Sequence, residues 1–394
     1  MIILGPLFPE EREQEIISAS KRGVSNAANN FQWNLIKGIH ANIDEPLIVI
    51  NALPVGTWPK NFKIFHLNDT DWSCGNIVGH EVGCWNIPLV KQFIRMWKAR
   101  AWLKKYPRES ELLIFTAYLP FLWAVNKLKP EYKVTAVITD IPEFYDMHQV
   151  SAFRKLLRRI HCKIVYHFMA RVDRFILLTE QMAMPLHVGN RPYLVMEGMC
   201  GDVADEPPVS KPQPFSMLYT GRLNRRYGLE LLLQAMKELQ DRNIELWLCG
   251  SGEMEEEIRT YAAQDSRIRF FGFLPHEEAV RLQKQATVLV NPRTNQGEYT
   301  KYSFPSKTME YMSTGTPVLT TVLPGMPKEY HPYVYLLEEE TADAIAEKLG
   351  QIFAQPADAL FEKGMKAREF ILKEKNNVTQ AGKILAMLER DGVQ

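Results

Sequence analysis

The 394-residue sequence predicts an α/β protein of two doubly wound, Rossmann-like lobes, and three observations predict it. Short apolar runs alternate with amphipathic stretches along the whole chain, the pattern of repeated β-α units. A proline-rich break interrupts that alternation near the middle. The halves also differ in charge: residues 1–200 hold 24 Lys+Arg against 18 Asp+Glu, a net +6, and residues 201–394 hold 23 against 28, a net −5. Halves of opposite sign suit two domains with different partners. The overall charge of +1 makes no case for nucleic acid. With 46% apolar and 24% charged residues, a disordered, collagen-like or coiled-coil chain is excluded.

In the first half, strands are expected near Ile2–Leu4, Leu47–Ala52, Leu112–Thr116, Lys133–Thr139, Arg174–Leu178 and Tyr193–Met196. A helix over Asn26–Ile39 lines up Phe31, Leu35 and Ile39. Residues 198–214 hold four prolines and few apolar residues, which disfavours helix and central strand, so this stretch reads as a linker. Strands then resume at Met217–Thr220, Ile244–Cys249, Arg267–Phe271, Thr287–Val290 and Pro317–Thr321. Helices are expected at Leu229–Leu239, Glu253–Ala263, Glu277–Gln285 and Lys307–Ser313, with a helical tail from about Thr341. The predicted layout is a first lobe over 1–200, a linker over 201–214, a second lobe over 215–372 and a final helical segment over 373–394. Both lobes read as parallel sheets facing a central cleft, and ligands bind at the carboxyl ends of such strands.

Five cysteines, an odd number with no C-x-x-C pair, indicate neither a disulfide framework nor a zinc cluster. The first fifteen residues lack an apolar core of signal-peptide length, and no window reaches that of a membrane span. A cytoplasmic protein is expected, peripheral at most at the inner face of the membrane.

Three stretches of the second half carry the chemistry. Tyr219-Thr-Gly-Arg-Leu-Asn-Arg-Arg-Tyr-Gly228 joins a strand to a helix, with Gly221 releasing the chain from the strand. Arg222, Arg225 and Arg226 crowd near a helix N-terminus, where dipole and guanidinium forks suit phosphate oxygens. A solvated arginine loop would have the same sequence. Leu248-Cys-Gly-Ser-Gly-Glu253 repeats the junction, with Gly250 and Gly252 allowing close backbone approach but no third glycine of a dinucleotide fingerprint; a plain tight turn fits equally. In Tyr302-Ser-Phe-Pro-Ser-Lys-Thr-Met-Glu310, Pro305 and Ser306 open a helix whose free N–H groups suit phosphate, and Lys307 adds a charge. Glu310, one turn on, suits sugar hydroxyls. An exposed helical glutamate is its bland alternative.

In order and separation these stretches resemble the donor-binding half of the retaining glycosyltransferases of the GT-B fold, family four, in their Ser-Phe-Pro-Ser-Lys variant. Gly221 and Arg222 match that family's glycine-arginine loop, Gly250 and Gly252 its G-x-G turn, and Gly272-Phe273-Leu274-Pro275 the turn whose backbone brackets the base. Ser303, Phe304, Pro305, Ser306, Lys307 and Glu310 match its diphosphate-binding helix start and ribose-binding glutamate, with Gly315 to Val318 closing the motif. The resemblance implies a nucleoside-diphosphate sugar as donor, retention of configuration, no cofactor and no metal. Arg222, Arg226, Glu310 and Asp140 would stand at the reacting centre. The final helix, about Asn376–Leu388, would cross back to the first lobe. The chain departs from the family at three places. Tyr302 replaces the first of two glutamates, with Glu298 nearby but out of register. Tyr227 replaces a lysine, leaving Arg225 or Arg226 to supply the second positive charge. Thr139 replaces a histidine, leaving Asp140 alone. These departures motivate a non-catalytic nucleotide- or glycan-binding protein as the rival reading, and an epimerase or phosphorylase of the same fold as another.

In the first half, Lys21-Arg-Gly-Val-Ser-Asn26 resembles the loop that faces donor phosphate and acceptor, with Gly23, Ser25 and Asn26 as its candidates; a simple N-cap explains them equally. Two basic amphipathic stretches, residues 90–108 and 153–172, are the type that lies on anionic membranes. The first carries Val90, Phe93, Ile94, Trp97 and Ala101 with seven bases and no acid; the second carries Phe153, Leu156, Leu157, Ile160 and Ile164 with Arg154, Lys155, Arg158, Arg159, Lys163 and Arg171. Packing of each apolar face on its own sheet is the alternative. Membrane contact would bring a lipid-linked or other glycan acceptor. Asp69-Thr-Asp71 has a metal-binding form but reads better as a turn.

Overall fold

The computed structural model describes residues 1–21, 26–128, 132–144, 152–201, 215–239 and 243–390. Gly23 and Ser25 therefore lie outside the described residues, as does nearly all of the expected linker. The chain divides into two compact units, Met1–Met199 with the residues from Asn377 onward, and Cys200–Asn376.

The first unit is built on β1 (Ile2–Gly5), β2 (Leu47–Asn51), β3 (His66–Leu67), β4 (Thr70–Cys74), β5 (Ile77–Glu81), β6 (Cys84–Trp85), β7 (Leu112–Phe115), β8 (Val134–Ile138), β9 (Arg174–Leu177) and β10 (Tyr193–Val195). Eight of these form one sheet in the order β10-β9-β8-β7-β1-β2-β5-β4. Its middle strands are buried on both faces, which is why they read as unbroken apolar runs. One edge departs from the all-parallel expectation: β4 runs antiparallel to β5 across a turn at Gly75, whose φ is +57°. The polar sequence of β4, Thr-Asp-Trp-Ser-Cys, gave no strand signal because an exposed edge has no apolar face to bury. Helices α1 (Glu13–Ala19), α2 (Asn26–His40), α3 (Val90–Leu103), α4 (Leu119–Asn126) and α5 (Ala152–Met169) complete the unit's interior segments.

The second unit is a six-stranded parallel sheet. Its strands are β11 (Phe215–Arg222), β12 (Ile244–Ser251), β13 (Ile268–Gly272), β14 (Val288–Asn291), β15 (Val318–Thr321) and β16 (Tyr335–Leu337), in the order β13-β12-β11-β14-β15-β16. Around it lie α6 (Leu229–Glu238), α7 (Glu255–Gln264), α8 (His276–Gln285), α9 (Ser306–Ser313), α10 (Ala342–Phe353) and α11 (Ala357–Glu374). The alternation of β11 divides the core: Met217 and Tyr219 join the cluster under α6 and α10, while Leu218 joins the one under α8 and α9. Helix α12 (Asn377–Arg390) packs on α2 of the first unit, burying Ala381, Ile384 and Leu388 beside Trp33, Leu35 and Ile36. A side chain on Gly38 would collide with the Asn377 carbonyl, so the glycine permits this close approach.

Candidate functional site

The parallel pairing of β11 and β12 brings the two glycine turns side by side, with Gly221 opposite Gly250 and Arg222 opposite Ser251. At Gly250 φ is +143°, and a Cβ there would lie 1.7 Å from the Gly221 carbonyl oxygen; glycine is required. Gly252 is pressed in the same way against the Leu223 carbonyl. The strand ends form a floor of bare backbone.

Helix α9 is docked onto that floor. The Tyr311 hydroxyl, fully buried, accepts the Thr220 N–H at 2.8 Å and donates to the Thr220 carbonyl at 3.0 Å. This bond pair fixes α9 against the end of β11, and Lys307 Cε comes within 3.2 Å of where a Cβ on Gly221 would stand. Pro305 caps the helix with extended backbone and accepts the Thr308 N–H, so of the first-turn N–H groups those of Ser306 and Lys307 remain unspent at the same end. Phe304 packs its buried ring on Tyr330, anchoring this start, so the segment offers backbone while that side chain serves the core. The Ser303 hydroxyl is buried with no hydrogen-bond partner.

Glu310 is not the freely exposed residue that its helical position allowed. Its carboxylate accepts from Gln283 Nε2 at 2.7 Å and meets Lys307 Nζ at 3.2 and 3.3 Å. Gln283 is fully buried, and the same amide nitrogen lies 2.9 Å from Thr220 Oγ1. One oxygen edge of Glu310 is thereby held while the side chain remains partly open to solvent. The turn after β13 joins the group through Cys249: burial pushes its thiol up, while the Leu274 backbone and the Lys307 charge draw it down. Phe273, beside Leu274, is 77% exposed.

The arginines separate into two kinds. Arg222 and Arg226 are exposed and have no carboxylate partner among the described residues. Arg225, by contrast, is paired at the surface with Glu230 at 2.8 Å and Glu257 at 2.6 Å, which leaves Arg226 as the unpaired one of the two expected to supply the second charge. Tyr302 receives Glu298 after all, its hydroxyl donating to that carboxylate at 3.2 Å, because a 3-10 turn over Glu298–Tyr302 closes the four-residue gap. Residues the sequence did not single out are Gln283, Tyr311 and Arg293; for Arg293 a signal existed, since it follows an apolar strand at its carboxyl end.

In the first unit, Asp140 follows β8 at its carboxyl end. Its carboxylate accepts from Thr139 Oγ1 at 3.1 Å, and the surrounding protein displaces enough water to push its pKa above the ordinary value while leaving the residue reachable. Asn26 opens α2. Asp71 lies in β4 of the edge hairpin, and Asp69 in the loop just before it. Asp69 accepts the Gly83 N–H and pairs with Lys98, and Asp71 meets His80 Nδ1 at 2.8 Å. Among the described residues, no group of three or more His, Cys, Asp or Glu is placed to hold a metal ion.

In helices α3 and α5 the apolar stripes do not pack on the sheet, which was the alternative to membrane contact. In α3 the buried side is Lys91, Arg95, Met96, Ala99 and Leu103, and Phe93 and Trp97 are 60% and 58% exposed. Lys91 and Arg95 are thus not surface charges. Lys91 donates to the Val55 carbonyl and Asn86 Oδ1, and Arg95 to the Leu53 carbonyl and the Tyr118 hydroxyl. In α5, Phe153, Leu156, Leu157, Ile160 and Ile164 are all exposed, while Cys162, Val165 and Met169 are buried on the opposite side. Helix α4 lies between the two, and its Trp123 meets Trp97 at 5.2 Å between ring centres. The exposed apolar residues therefore belong to one helical layer. No helix among the described residues is long and apolar enough to cross a membrane.

Two Rossmann-like units, the second with paired glycine turns and a glutamate-bearing helix at its strand ends, are the GT-B architecture. Residues 214–355 match the family described as glycosyl transferases group 1. The putative colanic acid biosynthesis glycosyltransferase WcaL of Escherichia coli (strain K12) is 25% identical over 190 residues, 46% of this chain and 47% of that protein. The amylovoran biosynthesis glycosyltransferase AmsK of Erwinia amylovora is 26% identical over 155 residues, 38% of each. The chain spans about half or less of the length of these curated relatives. Sucrose-phosphate synthase from Thermosynechococcus elongatus superposes with a TM-score of 0.65 at 16% identity, covering 99% of this chain and 100% of that one, which fixes the fold.

Proposed function

We propose that the protein transfers a glycosyl group from a nucleoside-diphosphate sugar to a glycan or lipid-linked acceptor in polysaccharide or glycoconjugate synthesis, with retention and without a metal. The observation that carries this reading is the convergence of unpaired cations, bare strand-end backbone and a held carboxylate in the second unit. Departure of a diphosphate from the anomeric carbon is the difficult step, and fixed positive charge facing the developing charge lowers its barrier. Arg222, Arg226, Lys307 and the amides of Phe304 and Ser306 supply that charge, and Glu310 takes the ribose hydroxyls. Asp140 is assigned to the reacting centre by the same family resemblance. The names of the two polysaccharide relatives and the match over residues 214–355 support the reading.

The test is incubation of the full chain with labelled UDP-, GDP- and ADP-sugars and a panel of glycan and lipid-linked acceptors. Transfer that Arg222→Ala lowers by roughly 100-fold or more upholds the reading, since loss of one preorganised donor to developing charge has that size. Tight nucleotide binding without turnover overturns it in favour of a binding protein, and sugar interconversion without acceptor in favour of an epimerase. A second observation, the exposed apolar and basic layer of α3, α4 and α5, supports meeting the acceptor at an anionic membrane surface.

A further inference from the structure

Arg293 leaves the carboxyl end of β14 two residues after Asn291, in the loop that leads to α9. Its guanidinium stands 5.7 Å from the centre of the Tyr227 ring and 5.5 Å from that of Tyr299. Nε is buried without a hydrogen-bond partner, and no carboxylate pairs with Arg293 among the described residues. Contact with aromatic rings favours a guanidinium, but it leaves the Nε–H unsatisfied. An unpaired buried donor is costly, and the cost is removed when an anion accepts from it.

Its surroundings place Arg293 at the donor floor. The Tyr219 hydroxyl donates to the Arg222 carbonyl at 2.9 Å and lies 3.4 Å from where a Cβ on Gly221 would stand. Burial pushes the Tyr219 hydroxyl well above its ordinary range, and both Arg293 and Arg226 pull against that shift, so both charges bear on the same ring. The arginine turn is also laced to the Arg293 segment: Thr294 Oγ1 donates to the Arg226 carbonyl at 3.1 Å, and Gly228 is pressed against the Pro292 carbonyl. These contacts fix Arg226 and Arg293 relative to each other.

We infer that Arg293 is a third guanidinium of the donor site, sharing the diphosphate of a nucleotide sugar with Arg222 and Arg226, and held as a fixed fork by Tyr227 and Tyr299. The inference rests on the donor reading given above and deepens it. It accounts for a site that tolerates tyrosine at 227 and spends Arg225 elsewhere, because the cation comes from β14 and the tyrosine becomes its support. Arg293 acts on phosphate and not on the base or ribose.

Calorimetric titration of the full chain with UDP, GDP and ADP, and with uridine, guanosine and adenosine, tests it. Arg293→Met is expected to weaken the preferred diphosphate by roughly ten- to a hundredfold, the size of a lost charge-assisted contact, with nucleoside affinity unchanged. Arg293→Lys, which keeps the charge without the fork, is expected to fall between. Adding Tyr227→Lys to Arg293→Met is expected to recover diphosphate affinity, since residue 227 lies against the lost cation. Diphosphate affinity within twofold of wild type in Arg293→Met, or equal losses for diphosphate and nucleoside, overturns the inference. If Arg293→Met does not fold, Arg293→Lys decides alone: a loss of fivefold or more confined to the diphosphate supports the inference, and no loss overturns it. In the same series, loss of diphosphate binding in Arg222→Ala with none in either Arg293 variant leaves the donor reading standing and removes only Arg293. A wild-type chain that binds none of the three diphosphates sinks both.

Discussion

Gln283 sits beneath the proposed ribose site with one amide nitrogen shared between Glu310 and Thr220. Gln283→Leu keeps most of the volume but removes the donor that orients the carboxylate. Nucleotide affinity should fall by about tenfold, the size of one hydrogen bond to a charged group, and calorimetry against wild type reads it. Lys91 offers a different experiment. Burial pushes its pKa down to about 8 from an ordinary 10.5, with the Arg95 charge acting in the same direction. Between these values the unfolded chain still holds a proton that the folded chain has released, so stability rises with pH across that window. Denaturant titration from pH 7.5 to 10.5 should show wild type gaining on Lys91→Met as pH rises, whatever the other groups contribute to both. The glycines at 221 and 250 were legible because a strand followed by glycine needs no partner to be read. Gln283 was not, because its significance arises only when α8 is brought against β11; for Arg293 the strand-end position was readable, but its aromatic neighbours were not.

At the scale of elements, α3 and α5 show how periodicity can be right and its usual meaning wrong. The spacing of Phe153, Leu156, Leu157, Ile160 and Ile164 marks a helix correctly, yet that stripe faces away from the core while Cys162, Val165 and Met169 face inward. A run of such large exposed apolar residues is uncommon on a soluble surface and marks a site of association. On the membrane reading proposed above, Arg154, Arg159 and Lys163 beside it would supply the complementary charge for anionic lipid. Flotation with phosphatidylserine- or phosphatidylglycerol-containing vesicles at low salt should carry the protein upward. Leu156→Ser with Leu157→Ser and Ile160→Ser should leave it at the bottom with its fold intact, since none of the three is buried. Binding unaffected by these changes would refute the membrane reading. The edge strand β4 was illegible for a related reason: pairing on an exposed edge is backbone chemistry, and its side chains carried no pattern.

For the molecule as a whole, the alternation of elements and the change in charge at mid-chain were enough to foresee two parallel α/β units, because buried parallel strands must be apolar throughout. The assignment of α12 to the first unit was visible only through family resemblance. Its physical basis is the fit of Ala381, Ile384 and Leu388 against α2. Truncation after Asn376 should uncover that apolar surface, at about 1.5–3 kcal/mol for each large side chain exposed. The melting temperature of the first unit should drop by several degrees or more, while diphosphate binding by the second unit persists; calorimetric scanning with and without UDP or GDP reads both.

That same return of the chain has a consequence for biosynthesis. On the ribosome, every residue from Cys200 to Asn376 has been polymerised before the segment that completes the first unit emerges. The half made earliest must therefore wait, with the α2 surface uncovered, for the half made later to be finished. The unit begun first is therefore completed last, and the order of maturation runs opposite to the order of translation.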